Sequence, residues 1–280
     1  MAAQIEFTDI KNEYLTIAEA READGLRIVL GAYTVPGPWR EACKGVFHVK
    51  GLSYKAVCTG DGEGNDMSFG LGGSFSELRA WTGQESAPVV VWNDERPRYT
   101  WVDQLNLAER LQPEPALIPT DINERVRMFG LINELAGENG FGWCRRLAIV
   151  DQMLGVVEPG TDDHAWFSHL ANKYLYSKEA AAAAPARMAE VITTLDEQLA
   201  AQQAAGSKYM IGDSLSALDI YWSTFIVLLS PMDQARCPMA SAFEAFYCNP
   251  HPETQAALTE RLIDHRDFIY SEHLELPISF

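Results

Sequence analysis

The 280-residue sequence has no Cys-x-x-Cys pair, and its five cysteines are widely spaced and odd in number. This argues against a disulfide framework or a zinc knuckle. The longest nearly apolar run, around residues 220–232, is too short to span a bilayer and favours a core helix. The first 14 residues mix charged and apolar side chains, unlike a signal peptide. We therefore expect a cytoplasmic protein with reduced thiols and no membrane partner.

Basic residues are also scarce. The chain has 22 lysines and arginines against 39 acidic residues, which gives a formal net charge of -17. A surface of this sign repels phosphate backbones, so we expect no nucleic-acid partner. An acidic surface also keeps a protein soluble. The charge therefore argues against nucleic acid as a partner but does not indicate which partner the protein has.

Three familiar site motifs are missing or incomplete. Residues 59–73 hold six glycines but no lysine, and their acidic side chains would repel phosphate, which argues against a nucleotide loop. His164 and His169 are five residues apart and do not stack on one helical face, so we expect no metal site. No Gly-x-Ser-x-Gly elbow of a hydrolase occurs.

The first part of the chain alternates strand and helix patterns. Residues 1–25 carry helical periodicity and are predicted to be an N-terminal extension, ending at Asp24-Gly25. Strands are then predicted at 27–33, 54–58, 87–92 and 98–101, and helices at 39–50, 75–81 and 103–111. The first strand, helix and strand require a right-handed crossover in a parallel sheet. This order predicts an α/β domain over residues 26–112.

Three prolines within residues 113–119 cannot continue a helix and predict a linker at 113–121. The remainder, residues 122–280, is predicted to be all helical, and Asp121 is the expected cap of its first helix. The predicted helices lie at 123–136, 167–173, 180–203, 216–229, 244–246 and 255–268.

The sequence around Ser216 describes a complete helix start. Ser216 and Asp219 are spaced as a capping box, in which each side chain bonds to the backbone N–H of the other residue. The phrase Gly-Asp-Ser-Leu-Ser-x-x-Asp-Ile at 212–220 resembles the final core helix of the glutathione transferase family. Over about residues 26–270 the resemblance implies a thioredoxin-like α/β domain, then an all-α helical bundle, and a homodimer.

The resemblance also implies a glutathione site in the first domain. Pro88 would be cis, and the backbone of Ala87 would pair with the cysteinyl part of glutathione; an ordinary strand start is the other interpretation of Pro88. The family's acidic-serine pair, which holds the γ-glutamyl group, corresponds to Asp103-Gln104. Asp103 is either a partner of the ligand's ammonium or a plain helix cap, and glutamine replaces the serine. Pro38 and Trp39 match the family's Pro-aromatic pair.

The residue that activates the thiol is less obvious. Gly37 stands where many family members place cysteine or serine, and it offers no donor, so thiol exchange is not expected. Another branch of the family uses a tyrosine about four residues earlier, which corresponds to Tyr33. Its hydroxyl would lower the pKa of the glutathione thiol, with Thr34 as a substitute donor. The alternative is that the Tyr33 ring only packs in the sheet.

A pocket for the second substrate would lie between the domains. Its candidates are Trp39, Trp101, Phe141 and Trp143, with Arg145 and Arg146 available for an anionic substrate. The other interpretation is that each is a packing or surface residue. Glycines at 137, 140 and 142 suggest an interrupted helix that lets Phe141 and Trp143 face an opening.

We therefore expect a glutathione transferase-like enzyme that stabilises a glutathione thiolate for attack on a small apolar electrophile. Glutathione-dependent ether cleavage or dehalogenation uses the same thiolate and remains an alternative. A fold kept only as a binding or interaction module is another, suggested by Gly37 and Gln104.

Overall fold

The computed structural model describes residues 14–30, 36–59, 76–239, 247 and 251–279. The chain has a thioredoxin-like α/β domain followed by an all-helical domain, as the sequence predicts. Among the described helices, none combines the length and the apolar character needed to cross a membrane.

A three-stranded sheet forms the centre of the first domain. Strand β1 (Leu26–Val29) lies between β2 (Lys55–Val57), to which it is parallel, and β3 (Val89–Trp92), to which it is antiparallel. Helix α2 (Pro38–Val49) makes the crossover from β1 to β2. The predicted parallel unit is therefore confirmed.

Helices cover both faces of this sheet. Because successive side chains of a strand point to opposite faces, Ile28 packs towards α2 and α4 (Trp101–Leu111), whereas Val29 faces the other side. On that other side, α1 (Ile17–Glu22) and α3 (Ser76–Thr82) pack in a smaller core. The face with α2 and α4 continues into the core of the helical domain.

The segment predicted as an extension packs on the first domain in its described part. Leu15 forms a parallel bridge with Val57, and its backbone N–H donates to Ala56 O at 2.9 Å. Thr16 and Glu19 form a capping box at the start of α1. These residues extend the β2 edge of the sheet.

The predicted strand at 98–101 is wrong in most of its length. Arg98 makes an isolated antiparallel bridge with Val90, and α4 already begins at Trp101. Thr100 is the reason, because its hydroxyl accepts from the backbone N–H of Asp103 at 3.1 Å and so caps a helix. Local capping outweighs the strand preference of the aromatic residues here.

The described part of the second domain consists of helices joined by loops. Its helices are α5 (Ile122–Ala136), α6 (Phe141–Leu154), α7 (Asp162–Lys173), α8 (Lys178–Ala204), α9 (Ala217–Phe225), α10 (Pro252–Ala257) and α11 (Glu260–His273). The predicted cap Asp121 accepts from the N–H groups of Asn123 and Glu124. The predicted helix at 244–246 lies outside the described residues.

One prediction in this domain is incomplete and another needs correction. The sequence prediction sets no bounds for the helix that follows the glycine interruption, which is α6; its N-cap is Gly140, and this residue supplies no capping side chain to detect. The single helix expected at 255–268 is two, because Leu258 is extended and Thr259 starts α11 by accepting from the N–H of Leu262.

The capping box at the start of α9 is confirmed and is fully buried. The hydroxyl and N–H of Ser216 donate to Asp219 Oδ2 at 2.7 and 2.9 Å. Asp219 Oδ1 accepts from the N–H of Met210 at 2.8 Å and lies 2.9 Å from His265 Nε2. One carboxylate therefore joins α9, the loop before it and α11.

The linker is fastened to the first domain by Lys50. This buried ammonium donates to Pro113 O at 3.1 Å and to Pro115 O at 2.6 Å. It also lies 2.6 Å from Glu109 Oε1, at the end of α4.

Candidate functional site

The starts of α2, β3 and α4 form the candidate site. Tyr33 and Thr34, the predicted catalytic residues, lie outside the described residues. Gly37 is the N-cap of α2 and makes no side-chain cap. Pro38 is the first residue of the helix, as the sequence predicts. Next to this helix start, the hydroxyl of Tyr247 donates to Pro36 O at 3.2 Å.

Gln104 fastens α4 to the start of β3. The Ala87-Pro88 bond is cis, and Gln104 Nε2 donates to Pro88 O at 3.0 Å and to Arg98 O at 3.4 Å. The Gln104 residue is only 3% exposed. Its amide nitrogen is therefore committed to the protein backbone, and its contribution to the site is to position these two elements.

Asp103 remains partly accessible at the first turn of α4. Its carboxylate lies 3.2 Å from Arg96 Nη2, and the Arg96 side chain is 65% exposed. An ion pair this exposed contributes little, so a ligand's ammonium can replace the guanidinium at small cost.

A chain of aromatic contacts, which we call the aromatic run, crosses the domain interface beside these helix starts. It joins three partly exposed tryptophans, one at the start of α4, one at the start of α2 and one in α6. The ring-centroid distances are 5.7 Å for Trp101–Tyr221, 6.0 Å for Tyr221–Phe225, 5.1 Å for Phe225–Trp39, 6.4 Å for Trp39–Tyr174 and 4.9 Å for Tyr174–Trp143.

Trp39 is held firmly within this run. Its indole Nε1 donates to Ala136 O, at the end of α5, at 2.9 Å. Gly142 lets the ring approach α6, since a Cβ at this position would lie 2.9 Å from Trp39 Cη2 and 2.7 Å from Phe225 Cε1. The predicted helix interruption is confirmed between Ala136 and Phe141, while Gly142 itself lies within α6.

Two predicted pocket residues lie inside the helical domain. Phe141 is 0% exposed and belongs to the core instead of facing an opening. Arg145 is also buried, and its Nε donates to Leu228 O at 3.0 Å. Burial lowers the pKa of Arg145 to about 10. Both side chains are packed where a substrate does not reach in this structure.

A charged cluster lies under the first turns of α2. Glu41 accepts from Arg40 Nε at 3.0 Å and from Lys44 Nζ at 3.0 Å, and all three side chains are buried. Cys43 is buried beside them, and desolvation raises the pKa of its thiol. Cys43 therefore lacks the thiolate character of a nucleophile.

The sequence interpretation missed the inner members of the aromatic run. Tyr221 and Phe225 lie one turn apart on α9, directly after the capping box, and Tyr174 follows α7. The spacing of the first two was a usable signal, whereas the position of Tyr174 depends on tertiary packing. Among the described residues, no three or more His, Cys, Asp or Glu side chains are grouped to hold a metal ion.

Neither a protein-family model nor a curated protein sequence matches the chain. Solved structures do match its fold. A glutathione S-transferase from Xanthobacter autotrophicus Py2 superposes with a TM-score of 0.52 at 13% identity, covering 91% of this chain and 97% of that one. The beta-etherase LigF from Sphingobium sp. strain SYK-6 gives 0.51 at 14% identity, covering 83% and 98%.

A third structure, a glutathione S-transferase from Methylobacterium radiotolerans in complex with glutathione sulfonate, gives a TM-score of 0.50 at 13% identity. It covers 88% of this chain and 91% of that one. The chain thus combines a thioredoxin-like domain with a helical domain. This combination is the glutathione S-transferase fold. At these identities the likeness describes the architecture alone.

Proposed function

We propose that the protein is a cytoplasmic glutathione transferase-like enzyme. It binds glutathione at the starts of α2, β3 and α4, stabilises its thiolate, and adds the sulfur to a small apolar electrophile. The observation that carries this proposal is the position of the aromatic run, because it lies directly beside two helix N-termini in this fold.

Helix starts suit the charges of glutathione, a tripeptide with two carboxylates and one ammonium. The helix dipoles and the remaining N–H groups of the first turns of α2 and α4 favour a carboxylate, although the Asp103 N–H is already capped by Thr100. Asp103, in the first turn of α4, is our candidate partner for the ammonium. Ala87, whose backbone precedes Pro88, remains our candidate for the cysteinyl part.

The aromatic run suits the second substrate. Trp39, Trp101 and Trp143 are each partly exposed, and inner rings hold them in place. Partly exposed aromatic surface at a domain interface is typical of a small-molecule site. A flat, uncharged electrophile would therefore be held next to the sulfur, with Tyr33 as our candidate for the hydroxyl that stabilises the thiolate.

Calorimetry with glutathione tests the binding half of this proposal. We expect binding at millimolar concentration or below, and about three- to tenfold weaker binding in Asp103→Ala, because the ammonium loses its partner. Asp94→Ala is the matched control, since Asp94 is an exposed carboxylate outside the site. If the native protein shows no heat of binding at millimolar ligand, the glutathione site is rejected.

A specific observation favours a second candidate function. Gln104 gives its amide nitrogen to backbone carbonyls, and Gly37 has no donor, so a binding module without turnover is the alternative. Such a module would bind glutathione and leave a panel of electrophiles unchanged. Ether cleavage or dehalogenation would be recognised in the same panel by release of a phenol or a halide.

An exposed apolar face supports a homodimer. Ile122 and Val126 lie one turn apart on α5, with 64% and 65% of their surfaces exposed. Phe129 continues the same face and contacts Trp101 of the first domain, with ring centroids 5.9 Å apart. Exposed apolar residues grouped in this way are typical of an interface, and we propose a second copy of the chain as its partner.

Val126→Glu tests this interface. A carboxylate placed in an apolar interface without a partner is expected to weaken the dimer at least about 100-fold. Analytical ultracentrifugation at micromolar concentration would then show monomers. Val156→Glu, at another highly exposed valine, should leave the dimer intact. A native protein that sediments as a monomer contradicts the proposal.

A further inference from the structure

A cavity of about 470 Å³ lies between the domains, and its lining includes none of the candidate-site residues. Its walls come from one side of α2, residues 51–54 before β2, α9, α11 and the chain after α11. This volume is in the usual range for small-molecule sites, which favour domain interfaces. The cavity is therefore large enough to be considered a second site.

The buried charges in its wall are already paired within the protein, whereas Glu275 and His48, which also line it, are exposed. Glu41 is held by Arg40 and Lys44, and Lys44 also donates to the carbonyl of Ser279. An ionic ligand would have to break this buried arrangement, which costs more than it returns. The remaining wall includes the apolar side chains of Leu52 and Ile278. An uncharged ligand is consequently favoured.

One polar group in the wall has an unmet hydrogen bond. Tyr270 is 3% exposed, and its hydroxyl has no hydrogen-bond partner among the described residues. Burial raises the pKa of Tyr270 well above its usual value, so the hydroxyl stays protonated and can donate. A buried donor without a partner costs free energy, and an acceptor supplied by a ligand would recover it.

We propose that this cavity binds a small uncharged molecule with an apolar body and one hydrogen-bond acceptor, which Tyr270 engages. The Tyr270 hydroxyl is shielded from solvent in this structure, and Tyr270 packs with Leu274, Leu276 and Ile278, so contact requires a small shift of residues 274–279. This segment is tied down by Lys44 to Ser279 O and by the Ile278 N–H to Arg236 O at 2.8 Å. The site is separate from glutathione binding and does not depend on it.

Three probes of equal size test the ligand class by ligand-observed NMR. Benzamide is neutral and has an acceptor, benzoate has an acceptor and a negative charge, and benzamidinium has a positive charge and no acceptor. We expect benzamide to bind with a dissociation constant of about 1–10 mM, the range for so small a ligand. The two charged probes should bind at least about tenfold more weakly.

Variants locate the binding. Tyr270→Phe should weaken benzamide binding at least about threefold and leave the melting temperature unchanged or higher, because an unmet hydroxyl is removed. Tyr209→Phe removes a hydroxyl outside the cavity and should bind as the native protein does. Ser53→Trp, at an exposed position in the lining, should block binding.

Three results would overturn the proposal: no benzamide binding at about 50 mM, equal binding of all three probes, or native binding by a folded Tyr270→Phe variant. Glutathione calorimetry on the same variants separates the two sites. If the protein binds benzamide but not glutathione, the cavity proposal stands and the enzyme proposal is rejected.

Discussion

Replacing Asp219 with alanine is expected to lower the free energy of unfolding by about 3–5 kcal/mol. The carboxylate is 0% exposed, and it joins Ser216, Met210 and His265. Its removal leaves several buried donors without an acceptor, and each pays a desolvation cost. Urea unfolding followed by circular dichroism measures the change.

Asp264→Ala is the matched control for this experiment. Asp264 is an exposed acid of α11, so its removal should change the free energy of unfolding by less than about 0.5 kcal/mol. Asp219→Asn keeps the size of the side chain and should fall between the two. A loss of under about 1 kcal/mol in Asp219→Ala would show that the network is not a main support of the helical domain.

Tyr33→Phe is expected to reduce kcat/KM for glutathione conjugation about 10- to 100-fold. A hydrogen bond to a charged group contributes about 1.5–3 kcal/mol, and this one would be made to the thiolate. The pKa of the bound glutathione thiol should rise by about one to two units, which the ultraviolet absorbance of the thiolate reports directly. Glutathione affinity measured by calorimetry should change little, since the peptide contacts remain.

Tyr99→Phe is the control, because Tyr99 is 52% exposed and its hydroxyl is outside the proposed site. Thr34→Val separates the two candidate donors. If Tyr33→Phe keeps full turnover while Thr34→Val loses it, the threonine is the donor. If both variants conjugate at the native rate, neither hydroxyl stabilises the sulfur, and the catalytic assignment is wrong.

The sequence predicted features that depend on local chemistry. The capping box of Ser216 and Asp219, the crossover around α2 and the glycine break before α6 each follow from neighbouring residues, and the structure has them. The aromatic run could not be predicted in the same way, because Trp39, Tyr174 and Phe225 meet only after two domains pack.

Errors occurred where two local preferences competed. The aromatic residues at 99–101 favour a strand, but the Thr100 cap starts a helix at Trp101. Gln104 shows a different limit of sequence-based prediction. The resemblance aligned it with a residue that contacts the ligand, and it was therefore assigned to the ligand. In the structure its amide nitrogen donates to Pro88 O and Arg98 O. Which acceptor a side chain finds depends on the folded neighbourhood.

The buried ammonium of Lys50 has a consequence for motion. By holding the carbonyls of Pro113 and Pro115 together with Glu109, it fixes the first part of the linker to the first domain and disfavours bending of the chain there. A swing of one domain about this point of the chain is then disfavoured. In the proposed enzyme, small molecules would enter and leave through movements of individual loops and side chains, and the shape of the pocket would be set before the substrate binds.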